Sequence, residues 1–222
     1  MDNKPFGEII LIDKPEGLSS FGVVARVRRK LRDREGKKIK VGHTGTLDPF
    51  ATGLLIILAG KATKKSNDFL KKDKEYEATI CLGKKSTTGD IEGEIEDISK
   101  KVPTLDEIKS VCKKLTGEIT QKVPIFSAVK INGERAYKLA RKGEKVETPT
   151  RKVTIYSIEI QKYSYPELKI RTHVSSGTYI RTLGEDIGEF LGTGAYLTAL
   201  RRTKIAEYSV SNAKKLEKYM EE

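Results

Sequence analysis

Apolar positions along this 222-residue chain recur at two spacings, and the switches between them mark out its elements. Glu8–Asp13 (EIILID) is a short apolar run closed by Lys14-Pro15-Glu16-Gly17, which predicts a buried strand followed by a turn. Ser19 or Ser20 then caps a helix in which Val23, Val24, Val27 and Leu31 share one face. A Gly- and Lys-rich loop leads to the stretch His43–Asp48, and Leu54–Ala59 reads as the next strand. Glu75–Leu82 places Tyr76, Ala78, Ile80 and Leu82 on one side, the period of a strand. Thr104-Leu105-Asp106-Glu107 is a capping box opening a helix with Ile108, Val111, Cys112 and Leu115 on its apolar face, and Gly117 is placed to end it. Asn132-Gly133 signals a hairpin. Arg151–Tyr163 and Glu167–Val174 read as strands around a Pro166 turn. Thr178–Leu191 reads as a helix ending at Gly192. Ala195–Arg202 is a core strand, with a shorter one near Glu207–Val210, and the Lys/Glu-rich tail has helical character.

Strands and helices mix here without the regular alternation of a parallel α/β fold. This predicts an α+β fold with a mixed, mostly antiparallel central sheet flanked by helices. No repeat or linker divides the chain, so one domain over residues 1–222 is expected. Lys122–Thr150 is loop-rich and basic, an excursion from the main body.

The net charge of +12 adds a hint of function, because a basic domain attracts polyanions. Arg26–Lys40 (RVRRKLRDREGKKIK) alone holds nine basic residues against two acidic ones, and Lys61–Lys74 adds a second cluster. A solubilising lysine-rich surface explains the charge equally well. The longest apolar run is too short to span a bilayer, and the N-terminus has no secretory signature. A cytoplasmic protein without a membrane partner is expected. Cys81 and Cys112 read as reduced core residues. His43 and His173 are the two histidines, too few for a metal cluster, so no metal is expected.

Gly42–Gly53 (GHTGTLDPFATG) crowds glycine and threonine around one histidine and one aspartate. Such a segment forms an irregular loop that presents an acid between strands, a suitable place for catalysis. Asp-Pro is equally an ordinary turn pair. Taken alone, Arg181 reads as one more surface arginine and Tyr76 as a core tyrosine.

The motifs together resemble the TruB family of tRNA pseudouridine synthases. Val41–Leu55 (VGHTGTLDPFATGLL) looks like the family's catalytic motif. Lys14–Ser20 (KPEGLSS) is similar to its N-terminal KPxGxTS motif, with serine where threonine is usual. Ser127–Tyr137 resembles the SALKxNGxRxY segment, Ser176–Leu183 the GTYIRTL motif, and Ala195–Arg202 the closing LxxLRR run. The matches are in family order and cover nearly the whole chain.

The resemblance implies a pseudouridine synthase fold with a thumb-like, RNA-clamping insertion over residues 122–150. It implies conversion of uridine to its C-glycoside isomer at position 55 in the T-arm loop of tRNA, with no cofactor and no metal. Asp48 would be the nucleophile, Arg181 its ionic partner, and Tyr76 would stack on the target base and handle a proton. Tyr179 and Leu200 would pack around the extruded uridine, and His43 would fill the stack that the bases leave. Lys14 and Lys64 would contact phosphate or support the pocket; His173 has no motif support and reads as structural. The implied partner is tRNA, without a guide RNA, and the enzyme is expected to be a monomer.

Two departures stand out. The chain ends soon after the core motifs, where bacterial members usually carry a small C-terminal RNA-binding domain. And Ser86-Thr87-Thr88-Gly89-Asp90 has Thr87 where an aspartate is more usual, while Asp90 is kept. The nearest rival readings are the RNA-guided relative that acts on ribosomal RNA and a non-catalytic RNA-binding protein on the same scaffold.

Overall fold

The unbroken apolar run in the middle of the first third dictates the first layer of structure. In the computed structural model, which describes residues 6–127, 129–131, 133–136 and 147–222, this run is a strand buried along nearly its whole length. The chain forms two units, Met1–Tyr76 with Leu200–Glu222, and Glu77–Ala199.

In the first unit, β1 (Gly7–Lys14) runs antiparallel to β3 (Thr52–Gly60) from Gly7↔Gly60 to Lys14↔Gly53. Between them in sequence lie α1 (Ser20–Glu35) and the short β2 (Val41–His43), which also pairs with β3. Ser19, not Ser20, caps α1: its side chain accepts from the Gly22 amide at 3.0 Å, and Gly36 closes the helix at φ 65°. Leu55, Ile57 and Ala59 join Val23, Val24, Val27 and Leu31 of α1 in one core cluster. Leu54, Ile56 and Leu58, on the other face of β3, join Ala62 and Phe69 in a second. The period of two along one strand thus supplies both cores. Ala62 and Phe69 belong to a 3₁₀ turn (Lys61–Lys65) and to α2 (Ser66–Leu70), a segment whose sequence shows chiefly its lysines.

The chain leaves the first unit within β4 (Lys74–Leu82), where alternate residues from Lys74 to Leu82 are buried as its spacing predicts. In the second unit β5 (Lys84–Ser86) and β6 (Ile95–Asp97) form a hairpin around the Thr87–Asp90 turn. The capping box of α3 (Leu105–Leu115) forms as expected: the Glu107 amide donates to Thr104 Oγ1 at 3.2 Å, and the Thr104 amide donates to Glu107 Oε2 at 2.7 Å. Gly117 does not terminate this helix. Thr116 is already extended, and Gly117, at φ 112°, opens the edge strand β7 (Gly117–Lys122) instead.

β8 (Lys130–Ile131) and β9 (Glu134–Arg135) make the expected hairpin, although Asn132 lies outside the described residues. So does much of the expected insertion: of residues 122–150, Ala128, Asn132 and 137–146 are not described. β10 (Thr150–Ser164) pairs antiparallel with both β7 and β11 (Glu167–Val174). α4 (Ile180–Leu191) starts two residues later than its apolar spacing suggests and ends, as expected, on Gly192 in the left-handed region. β12 (Ala195–Ile205) carries the chain back into the first unit. There β13 (Tyr208–Ser209) pairs with its end, β14 (Lys214–Lys215) lies parallel to β1, and α5 (Leu216–Glu221) packs Leu216 and Tyr219 into the first core cluster. The fold is α+β with mostly antiparallel pairing and five α-helices among the described residues. None of those helices is long and apolar enough to cross a membrane.

Candidate active site

The loop that carries Asp48 is fixed by the residues around it. Asp48 is half-buried between the buried Leu47 and Phe50. Three side chains from elsewhere in the first unit hold the loop's main chain. Ser20, the first residue of α1, exchanges hydrogen bonds with both main-chain groups of Leu47, each at 2.8 Å. Lys14, fully buried at the end of β1, donates to the carbonyls of Pro15 (2.8 Å), Leu18 (2.6 Å) and Pro49 (3.1 Å). Arg202 of β12, also fully buried, donates through Nε to the Leu54 carbonyl at 2.8 Å and through Nη2 to the Gly45 carbonyl at 3.1 Å. The Gly17 amide adds a bond to Pro49 O at 2.9 Å. The KPEGLSS stretch therefore works as a cradle for the Asp48 loop. Of the two roles expected for Lys14, support is the one that its burial and partners fit.

His43 ends β2, half-buried, and its Nδ1 accepts from the Gly45 amide at 3.4 Å. Tyr76 (8% exposed) and Leu200 (7%) are buried in β4 and β12 of the first unit. Lys64 is exposed in the 3₁₀ turn after β3. Lys74, two residues before Tyr76, is buried, with its ammonium on the carbonyls of Leu70 and Lys72. Burial, followed by the nearby Arg202 charge, lowers its pKa to about 8. Along α1 the cationic side chains Arg26, Arg28, Arg29 and Arg32 are exposed, opposite the buried valines.

The second unit supplies Arg181 and Tyr179. Arg181, in the first turn of α4, is buried, and its Nη1 lies 3.2 Å from Asp90 Oδ2. The same guanidinium donates to the carbonyls of Thr88 at 2.9 Å and Phe126 at 2.7 Å. Asp90 is fixed in turn: its Oδ1 accepts from Thr88 Oγ1 at 2.6 Å and from the Glu92 amide at 3.0 Å. The turn with Thr87 in place of the usual aspartate thus keeps a buried ion pair through Asp90. Tyr179 is half-buried, with the Arg151 guanidinium 5.7 Å from its ring centre. Buried Gln121 brackets its main chain, accepting from the Tyr179 amide at 3.0 Å and donating to its carbonyl at 3.2 Å. This bracket accounts for the late start of α4. His173 stacks at a tilt on Tyr156, ring centres 4.6 Å apart, as a structural histidine would. Cys112 is buried, its thiol pushed up to about 11 by burial, and Cys81 is half-buried; both are free thiols.

The α+β fold is that of the pseudouridine synthases. A solved structure titled "Crystal structure of pseudouridylate synthase" shares it at a TM-score of 0.50 and 14% identity, over 98% of this chain and 74% of that one. The chain belongs to the TruB family of pseudouridylate synthases: the model of that family's N-terminal domain matches residues 28–180, and the model of the tRNA pseudouridylate synthase B C-terminal domain matches 181–221. Similar curated proteins carry the name tRNA pseudouridine synthase B. That of Neisseria meningitidis serogroup A is 44% identical over 96% of this chain and 68% of its own length. That of Flavobacterium johnsoniae is 46% identical over 93% of this chain and 92% of its own. A chain in the crystal structure of a Cbf5-Nop10-Gar1 complex is also similar, with a TM-score of 0.74 and 32% identity over 97% of this chain and 54% of that chain. The present chain thus spans about two thirds of the Neisseria relative and about half of the Cbf5-complex chain.

Proposed function

We propose that this protein isomerises uridine to pseudouridine in tRNA, at position 55 of the T-arm loop, with Asp48 as nucleophile. The observation that carries the reading is the anchored Asp48 loop: three buried side chains hold the main chain of the one segment that matches the family's catalytic motif. Fixed geometry is what covalent catalysis asks of a nucleophile. The Asp48 carboxylate adds to C1′ or to C6, the C1′–N1 bond breaks, the base turns, a C1′–C5 bond forms, and the bond to Asp48 breaks to restore the free carboxylate. C5 loses its proton and N1 gains one, so substrate and product are isomers and no redox partner, cofactor or metal is called for. Arg181 acts as the cation that keeps the nucleophile ionised, oriented by Asp90. Tyr76 stacks on the base, and Tyr179 and Leu200 line its pocket. His43 fills the gap left in the RNA stack, and Lys64 and the exposed cations of α1 meet phosphates. The enzyme acts as a cytoplasmic monomer, and residues 122–150 clamp the RNA.

The alternative is an RNA-guided enzyme, and the likeness to a chain in the structure of an H/ACA RNP bound to a substrate RNA favours it. The higher identity to proteins named tRNA pseudouridine synthase B supports the guide-free reading. The test uses purified protein and a synthetic T-arm stem-loop without guide RNA or metal. Mass spectrometry is expected to detect pseudouridine with wild type and none with Asp48→Asn, while RNA affinity stays within about threefold and weakens steeply with salt. Product formation by Asp48→Asn near the wild-type rate removes Asp48 from the nucleophile role. Binding without product in wild type favours a binding module.

A further inference from the structure

The geometry points to Arg202 as a positioning residue: its buried guanidinium sets the shape of the Asp48 loop by holding both of its ends. The inference rests on the reading of Asp48 as nucleophile.

Arg202 grips the loop twice. Its side chain bonds the carbonyl of Gly45, three residues before Asp48, and that of Leu54, six residues after it. Its main chain pairs in parallel with Gly53, next to Arg201 with Thr52. The sequence makes room for this approach. A Cβ on Gly53, at φ 102°, would lie 2.3 Å from the Arg202 carbonyl oxygen; at Gly45 the backbone conformation, φ 129°, is what calls for glycine, since a Cβ there would meet Arg202 Nη1 only at an ordinary contact of 3.5 Å. Both glycines flank Asp48, and both sit where the backbone passes Arg202.

Charge balance does not explain an arginine here. Among the described residues no carboxylate pairs with Arg202, and the nearby cation is Lys74. A buried guanidinium satisfied only by carbonyls is costly, and an apolar side chain of similar volume is often neutral or stabilising in such a place. The preceding residue makes the contrast. Arg201 points to the other side of the strand, part-exposed, and forms a two-pronged ion pair with Asp13 at 3.0 and 2.8 Å. Arg202 has no such pair to explain it. What its planar fork offers is a fixed spacing between two acceptors, which a flexible ammonium does not. Here the two acceptors are the ends of the segment that displays the nucleophile. A displacement of about 1 Å in that segment would cost on the order of 100-fold in rate.

The experiment compares wild type, Arg202→Met and Arg202→Lys by three readouts: single-turnover pseudouridine formation in the T-arm stem-loop, affinity for that RNA, and melting temperature. Arg202→Met is expected to lose about 100-fold in single-turnover rate. Its affinity should stay within about threefold and its melting temperature within a few degrees of wild type, because the charge it removes is unpaired. Arg202→Lys keeps the charge without the fork and is expected to lose at least about tenfold. A rate within about threefold of wild type in either variant overturns the inference, as does a rate loss matched by an equal loss of affinity. If Arg202→Met fails to fold, the lysine variant decides alone. An inactive wild type strikes down the functional reading and this inference with it. An active wild type with unaffected variants strikes down this inference only.

Discussion

Lys14, Lys74 and Arg202 of the first unit are buried with their cationic groups on main-chain carbonyls, whereas Arg181 of the second is buried against a carboxylate. The second unit also carries half-buried acids: the Glu185 carboxyl and, to about 6, that of Asp186 are raised chiefly by partial burial. The difference separates two uses of buried charge. A carbonyl oxygen orients a cation without neutralising it, so a cation held this way reads out the path of the backbone. A carboxylate neutralises its partner and fixes a side chain instead. In the first unit Lys14 and Arg202 hold the loop around Asp48; in the second Asp90 fixes the direction of one guanidinium.

The largest effect is expected where the ion pair is broken. Asp90→Ala removes the carboxylate 3.2 Å from the buried Arg181 guanidinium, together with the acceptor of Thr88 Oγ1 and the Glu92 amide. Losing one partner of a buried pair costs about 3–5 kcal/mol, or roughly 10 °C in melting temperature for a chain of this size. On the role proposed for Arg181, turnover should fall as well, because the guanidinium loses its orientation. Asp90→Asn keeps acceptor and shape and should cost about half as much. Calorimetry on both variants, set beside Arg202→Met, puts the comparison at risk: equal losses of stability from Asp90→Ala and Arg202→Met would erase the distinction between the units.

How much of this was legible in the sequence follows the range of each interaction. α3 was readable because its capping box and its apolar spacing are local. α2 was not, since its contribution to the core comes from Phe69 alone, beside three polar residues and an exposed Leu70. β7 escaped because an edge strand with one face to solvent needs few apolar side chains; only Gln121 of GEITQK is buried. Asp48 was legible through its motif, yet its anchors were not. Ser20 reaches Leu47 across 27 residues and Arg202 reaches Gly45 across 157. Local chemistry offered Ser19 or Ser20 as the helix cap, and Ser19 fills that role, which leaves Ser20 free to hold Leu47. Asp90 was kept in a turn whose pattern departs from the family, but its partner lies in a different helix. For Arg202 the LxxLRR run was legible as a motif, but nothing local joined it to the glycines set three before and five after the candidate nucleophile.

A middle-sized effect is expected at Lys74. Its folded pKa, about 8, lies below the ordinary 10.5. Between those values the unfolded chain binds a proton that the folded one has lost, so stability rises with pH across that window. Below pH 8 both states are protonated and the folded state bears the cost of a buried charge, on the order of 1–3 kcal/mol. Denaturant titrations at pH 7 and pH 10 should therefore show wild type gaining on Lys74→Met as pH rises. If the two stay a constant distance apart, the ammonium is not destabilised by burial and the carbonyls of Leu70 and Lys72 satisfy it fully.

The smallest effect comes from the second unit's surplus acid. Asp186, in α4, has its carboxyl raised from 3.8 to about 6, by burial first and by Glu189 second. The direction of the linkage is opposite to that of a salt-bridged aspartate. Between pH 4 and pH 6 the folded state holds a proton that the unfolded state has released, so this group makes the fold more stable as pH falls through 6 and less stable above it. At pH 7 the charged carboxylate is a net cost, which partial exposure limits to about 1 kcal/mol. Asp186→Asn removes the charge and keeps the shape. It should raise the melting temperature at pH 7 by roughly 2–4 °C, and the gain should shrink toward zero at pH 4. Asp186 belongs to the unit that pairs its buried charges, yet no cation is among the causes of its shift. A variant with unchanged stability at pH 7 would mean that the carboxylate is hydrated or paired in solution, and the contrast between the units would then rest on the buried Arg181–Asp90 pair.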